Sequence, residues 1–449
     1  MRQVRVILLA LMAGGLALVQ TGVSTTIPLT IAEARSRAIA YNRSYLQAQE
    51  DLAKAKAQIV TARAGVLPDI SAFGGYTRNL MIPSFFIFGT DSTGKSFKQE
   101  FTTGSDNQFA AGITVKQPIW EGGKALNAWA IARQYRAYSE DNLNAVEANV
   151  IYSSEQLFYG AILQRSNLDV LNKALEANTE NLSVVEKMYS KGVVSEFELL
   201  RARVERSNLL PNILQAESDL RLAESRLKSF LGLKLADTVQ LVEQVDDTSL
   251  AKLPPLDQLE KSALQNRPEM LAANHLENIT KRAVAVAKGD YWPSLDAFTN
   301  YSWQSQSNQM AWNQNQARSW TAGLTLSIPI FSGFRTKGTV SFYKADYRKT
   351  KLANAQLEDD ITLEVQEAYD RLIQAKKSLD VQHETIAQAE EGLKIAKVRY
   401  ESGVGTQLEV LSAQTALTDA RRALAVALNF FRQSKAGLKK ATTIDLDSL

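Results

Sequence analysis

Tyr400-Glu401-Ser402-Gly403-Val404-Gly405-Thr406-Gln407-Leu408-Glu409-Val410-Leu411 has a counterpart 211 residues earlier in the 449-residue chain, where Tyr189-Ser190-Lys191-Gly192-Val193-Val194-Ser195 is followed by Glu198-Leu199-Leu200. The same interval relates Pro118-Ile119-Trp120-Glu121-Gly122-Gly123 to Pro329-Ile330-Phe331-Ser332-Gly333-Phe334. Such constant spacing reads as two copies of one structural unit. Upstream, Leu67-Pro68-Asp69 matches Trp292-Pro293-Ser294 at an interval of 225, so extra length lies between Pro68 and Pro118; the Gly-, Ser- and Thr-rich loop 79–108 is the place for it.

Each copy reads as helix, two strands, a very long helix, a turn and a returning helix. The first helix is expected over Thr30–Arg63 in one copy and Leu256–Lys288 in the other. Lys124–Ser190 and Arg335–Glu401 each hold 67 residues without a proline. At 1.5 Å per residue, such a helix is about 100 Å long. A seven-residue rhythm runs through them: Val365, Leu372, Leu379, Ile386, Leu393 and Tyr400, with Ala368, Ala375, Ala389 and Ala396 three residues after members of that row. Leu168, Leu175 and Leu182 are answered across the first turn by Ala202, Ala216 and Ala223. Large residues facing alanines let helices pack closely, knobs into holes. The glycine-bearing turns at 191–195 and 402–406 fold each pair back into an antiparallel hairpin. Pro211 should interrupt and kink the first returning helix.

The segments beside the prolines alternate in the period of a strand. Phe109, Ala111, Ile113 and Val115 share one face, as do Leu295, Ala297, Tyr301 and Trp303; strands are expected at about 69–78, 109–118, 294–303 and 320–330. Phe73 breaks the alternation of the first. Runs of about ten residues with aromatics near their ends suit tilted membrane strands, and a soluble sandwich with one wet face shows the same alternation. The N-terminus tips the balance. Arg2 and Arg5 precede an apolar run from Val6 to Val19, followed by small Gly22 and Ser24, the pattern of a secretory signal over residues 1–22. No later stretch is apolar enough for a spanning helix. Four strands cannot close a barrel, and open edges facing lipid leave amides without partners. The chain must share its barrel with copies of itself; two, three or four copies give 8, 12 or 16 strands.

Composition excludes other classes. There is no cysteine for a disulfide, a thiolate metal site or a nucleophile, and the two histidines, His275 and His383, lie far apart in helical stretches with no partner apparent. Without Arg2 and Arg5, 49 basic residues face 48 acidic ones, so no field gathers nucleic acid. Gly122-Gly123 lacks the Lys-Ser/Thr of a phosphate loop and serves the strand-to-helix turn. No nucleophile and base stand in a catalytic spacing, so no enzyme, cofactor or metal is expected. Phe85-Phe86-Ile87-Phe88 is unusual in an exposed loop; it folds into a pore mouth or packs locally.

Leu29-Thr30-Ile31-Ala32-Glu33-Ala34, Ala64-Gly65-Val66-Leu67-Pro68, Pro118–Gly123, Pro329–Gly333 and Tyr400–Ala413 occur in an order that resembles the TolC-like outer-membrane efflux family over essentially the whole mature chain. The resemblance implies a homotrimer in the outer membrane, with a 12-stranded β-barrel continued by a periplasmic α-helical barrel. It further implies a periplasmic adaptor and an inner-membrane pump of the RND or ABC type as partners. In that family the hairpin turns dock the adaptor and narrow the channel. Carried over, the docking tips are Gly192, Val193, Val194, Ser195, Gly403, Val404, Gly405 and Thr406. Glu198, Tyr400, Glu409 and Ser412 fall at the constriction, where some members have a second acid in place of Ser412 and a gate arginine in place of Gly405. Three copies of Glu409 on an axis would form a ring attracting cations, assisted by Glu198.

The expected organisation is therefore a signal peptide over 1–22, a first repeat over 23–232 with its helical hairpin at 124–230, and a connecting segment over 233–255. A second repeat follows over 256–440, with its hairpin at 335–440, and a tail over 441–449. The expected function is a passive exit duct for small molecules or proteins, in a tripartite efflux or type I secretion system. The rival readings are a structural or adhesive coiled-coil assembly spanning the envelope without a lumen, and a soluble secreted scaffold.

Overall fold

The computed structural model describes residues 26–243 and 253–444. The expected signal segment, the middle of the 233–255 connection and the end of the tail lie outside them. In chain order the elements are β1 (Thr26–Leu29), α1 (Ile31–Tyr41), α2 (Arg43–Ala64), β2 (Asp69–Arg78), β3 (Ser84–Thr90), β4 (Ser96–Thr102), β5 (Asn107–Glu121), α3 (Lys124–Ser190) and α4 (Glu196–Phe230). Then come β6 (Thr238–Leu241), α5 (Leu256–Asn266), α6 (Pro268–Gly289), β7 (Ser294–Ser307), β8 (Gln316–Ser327), α7 (Arg335–Glu401) and α8 (Gln407–Thr442). They form two compact units. One gathers the described residues of Met1–Tyr41, Ser153–Thr248 and Val381–Asn429, the other those of Asn42–Tyr152, Ser249–Asp380 and Phe430–Leu449.

The two helices expected to be continuous are each broken once. Asn42 has extended backbone (φ −69°, ψ 125°), and its side chain accepts a hydrogen bond from the Ser44 amide, so it ends α1 and caps α2. Arg267 precedes Pro268, whose ring disfavours helical backbone in the residue before it; Arg267 is extended (φ −65°, ψ 128°) and Pro268 opens α6. The start of α1 is a capping box: Glu33 accepts from the Thr30 amide at 2.8 Å, and the Thr30 hydroxyl accepts from the Glu33 amide at 3.2 Å. By contrast α4 continues through Pro211 as one helix.

In the first unit α3 and α4 meet through the rows of large and small residues. Leu171, Ile213 and Ala216 pack with Leu168 and Leu175, and Val185, Leu199 and Ala202 pack with Leu182 and Val194. A two-stranded parallel ribbon, β1 with β6, pairs Leu29 with Leu241; the connecting segment gave no sign of it. In the second unit Val365, Leu372 and Leu379 on α7, with Phe431 and Leu438 on α8, are almost wholly buried.

The second unit also holds a four-stranded antiparallel sheet in the order β2-β5-β7-β8. Phe73, which spoils the alternation of β2, pairs with Gly112, where any side chain would collide with the Phe73 ring and the Tyr301 carbonyl. Phe298 lies over Gly323 in the same way. β5 runs on to Glu121 through a bulge between Pro118 and Trp120, which accommodates the missing proline amide. β7 is longer than expected and reaches Ser307, because Ser305 and Ser307 are buried and their hydroxyls bond to Gln314 across the turn. β8 starts earlier, at Gln316, and leaves the ladder at Ser327, two residues before Pro329.

The expected loop 79–108 is largely a second antiparallel hairpin, with Ser84–Thr90 paired to Ser96–Thr102. Phe85 stacks on Phe101 with ring centres 5.8 Å apart and Lys98 lies over the Phe86 ring, while Ile87 and Phe88 stay exposed. Gly122 (φ +62°) and Gly123 (φ +77°) turn β5 into α3, and a side chain on Gly122 would strike the backbone of Gly289. At the corresponding corner before α7, Phe334 adopts φ +60° beside Gly333. Left-handed backbone costs a non-glycine residue about 1–2 kcal/mol.

Candidate functional site at the helical turns

Both turns end their incoming helix in the same way. Gly192 (φ +74°) donates to the Tyr189 carbonyl at 2.9 Å, and Val193 donates to that of Met188 at 3.0 Å. Gly403 (φ +75°) donates to the Tyr400 carbonyl at 3.0 Å, and Val404 to that of Arg399 at 3.0 Å. These are two Schellman motifs, whose left-handed residue must be glycine or pay in strain. Ser195 then caps α4, its hydroxyl accepting from the Glu198 amide at 3.4 Å, and Thr406 accepts from the Glu409 amide at 3.3 Å to start α8. Glu198 and Glu409 thus occupy the third position after a cap, where a carboxylate favours the positive end of a helix. The Ser/Thr-x-x-Glu spacing was present in the sequence and its capping meaning was missed.

The structure brings the two turns side by side. Gln407 is buried and donates from Nε2 to the Glu198 carbonyl at 3.1 Å. Tyr400 packs with Ala396, Val410, Met188, Leu393 and Ala413, and so joins α7, α8 and α3. Its hydroxyl is buried and has no hydrogen-bond partner among the described residues. Burial pushes the Tyr400 phenol above its ordinary range, and the charge of Glu198 pushes it the same way. Val193 and Val404 project, 66% and 70% exposed, while Gly192, Ser195, Gly403 and Thr406 are exposed and Val194 and Gly405 half-buried. Ser412 is exposed one turn beyond Glu409.

Arg399 was not singled out by its sequence, yet it organises the second turn. Its Nε lies 3.3 Å from Glu409 Oε2, its Nη2 donates to the Val404 carbonyl at 3.4 Å, and its own carbonyl accepts from Val404 and Gly405. A side chain on Gly405 would lie 2.9 Å from Arg399 Cβ and from the Tyr400 amide. A residue larger than glycine at 405 would therefore force this turn to shift. Glu198 makes no ion pair among the described residues.

His275, expected to stand alone, has two partners. Its Nδ1 lies 2.8 Å from Gln134 Oε1 and its Nε2 3.3 Å from Asp141 Oδ2, which ties α6 to α3. Among the described residues no helix is long and apolar enough to cross a membrane.

A family model described as outer membrane efflux protein matches residues 34–233 and 259–443. The cation efflux system protein CusC of Escherichia coli K12 is 22% identical over 335 residues, covering 74% of this chain and 72% of its own. The outer membrane efflux protein BepC of Brucella suis is 23% identical over 337 residues, 74% of this chain and 71% of its own. The crystal structure of VceC from Vibrio cholerae superposes with a TM-score of 0.76 at 16% identity, over 92% of this chain and 95% of the other. With its sheet, its paired helical hairpins and a match over most of its length, the chain belongs to the outer membrane efflux protein family, the channels that carry efflux across the outer membrane and reach into the periplasm.

Proposed function

We propose that three copies of this chain close a single 12-stranded barrel in the outer membrane, continued into the periplasm by a barrel of helices. The observation that carries this reading is the open sheet: β2 and β8 each pair on one side only among the described residues, and β2 is exposed along its whole length. In hydrocarbon each unpaired backbone group costs several kcal/mol, so the two edges must meet those of neighbouring copies. The repeats at 23–232 and 256–440 would then each supply one hairpin of strands and one of helices. The equal 67-residue lengths of α3 and α7 and the matching turns support that division.

At the turns, the exposed valines and capped helix ends form the surface for the helical hairpins of a periplasmic adaptor. A pump of the inner membrane, of RND or ABC type, supplies the energy. The duct is passive and performs no reaction. Glu409, balanced by Arg399, and Glu198, assisted by the packing of Tyr400, line the constriction, with Ser412 widening it by one turn. CusC is named for cation efflux, and cargo of that kind suits a carboxylate-bearing tip; the partner pump makes the choice. Purified protein reconstituted in a planar bilayer should conduct, and native mass spectrometry should give three chains. A monomer that conducts nothing would refute the proposal.

A further inference from the structure

We propose that the groove between α6 and α7 binds the phosphate-bearing headgroup of an anionic phospholipid in the periplasmic leaflet. Two adjoining cavities of about 580 and 560 Å³ share Lys288 and Lys344. Their walls also carry Lys281, Arg282 and Lys337, and no carboxylate. None of these five cations forms an ion pair among the described residues. Of the carboxylates nearby, Asp290 pairs with Lys124 at 2.9 Å, and Glu277 accepts from the groove-lining Tyr347 hydroxyl at 3.3 Å and from Asn354 at 3.1 Å without pairing with any of the five. Five like charges in one groove repel one another, and an anion relieves that repulsion.

The position selects a lipid over a free anion. Tyr291 and Trp292, 54% and 61% exposed, line the groove and come immediately before Pro293 and β7. Lys337 and Lys344 stand in the first turns of α7, shortly after β8 ends. Between them Ile330 and Phe331 are 96% and 75% exposed, apolar groups suited to acyl chains. The groove thus lies where strands give way to helices, which is the headgroup level if the sheet is part of a membrane barrel; the assignment rests on that reading. Basic residues beside tryptophan and tyrosine are the chemistry of a bilayer interface.

The test uses the full protein in detergent, titrated with dioleoylphosphatidylglycerol or dioleoylphosphatidylcholine and read by native mass spectrometry. Phosphatidylglycerol should bind at least about tenfold more tightly than phosphatidylcholine. One lysine at an anionic surface contributes roughly a factor of five. Lys288→Gln, Lys337→Gln and Lys344→Gln together should therefore weaken phosphatidylglycerol about a hundredfold, and Lys337→Gln alone about fivefold. Displacement of the lipid by millimolar glycerol 3-phosphate would overturn the proposal in favour of a soluble anion. Equal binding of the two lipids, or unchanged binding in the variants, would overturn it as well. Bilayer conductance of the same preparation separates the readings. Conductance without lipid preference removes the groove and leaves the channel standing; absent conductance removes the channel reading beneath it.

Discussion

Arg399→Ala and Glu409→Ala should shift the ion selectivity of the channel in opposite directions. The two side chains lie 3.3 Å apart and are 51% and 44% exposed, so the pair contributes less than about 1 kcal/mol to stability. Neither variant should unfold, because the turn is held by the Arg399 carbonyl, which alanine retains. The effect lies in charge. In the proposed trimer three copies of the pair nearly cancel, whereas Arg399→Ala leaves three carboxylates and Glu409→Ala leaves three guanidinium groups. A monovalent ion passing about 8 Å from each of three charges in water gains or loses roughly 0.5 kcal/mol per charge, or about 1.5 kcal/mol in all. That is about a tenfold change in occupancy. At physiological salt the screening length is about 8 Å and the change shrinks to a few-fold, whereas at 0.01 M it is about 30 Å and most of the effect survives. Reversal potentials across a planar bilayer under a dilute KCl gradient give the readout. Arg399→Ala should become more selective for cations, Glu409→Ala should move toward anions, and the double variant should return near the parent. Shifts of one sign in both single variants, or no shift in conducting channels, would refute the placement of this pair at the constriction.

Other outcomes follow from buried groups. Arg267 is 4% exposed between Glu364 at 2.6 Å and Glu269 at 3.3 Å, whose side chains stay 42% and 28% exposed, so Arg267→Ala should cost about 1.5–3 kcal/mol in denaturant unfolding by removing charge-assisted hydrogen bonds. Burial works against the charge of Glu364, but the hydrogen bond and charge of Arg267, with help from Lys440, outweigh it and hold the carboxyl below its ordinary 4.5. Its contribution to stability is therefore present above that value and lost as pH falls through the lower folded one, and Glu364→Gln should flatten this acid limb of thermal unfolding. Asp141 behaves the other way: burial raises its carboxyl, opposed by His275 and aided by Glu140. Its ionisation weakens the fold as pH rises past the ordinary carboxyl value, so Asp141→Asn should remove that loss when melting is followed from acid to neutral pH. Leu372, fully buried on α7, should cost about 2–5 kcal/mol when replaced by alanine, measured by the same unfolding.

The long helices α3 and α7 were legible because proline is absent from them and because large residues and alanines recur every seven positions; Leu168 and Leu175 do pack with Ala216, and Leu182 with Ala202. The membrane-type strands were legible from alternation, apart from their ends, which depend on events outside the strand. Ser305 and Ser307 join β7 because Gln314 answers them across a turn, and no alternation announces that. The β3–β4 hairpin was hidden because Lys98, Gln99 and Glu100 give β4 the composition of a loop, while its register is fixed by contacts such as Phe85 with Phe101. The breaks at Asn42 and Arg267 were each marked locally, by a capping residue and by a following proline. Helical composition on both sides masked them. At the turns, glycine disclosed the Schellman motifs, but the part played by Arg399 arises from folding across Gly405, and only coordinates reveal such a return.

Completion of the sheet by neighbouring copies is tested most directly by cross-linking its two outer strands. The chain has no cysteine, so Ala72→Cys in β2 combined with single cysteines placed along β8, from Thr321 to Leu326, gives no background. Under mild oxidation in membranes, at least one β8 position should yield a reducible product closed at three chains. Only monomers at every position, or a ladder extending beyond three chains, would contradict the shared barrel.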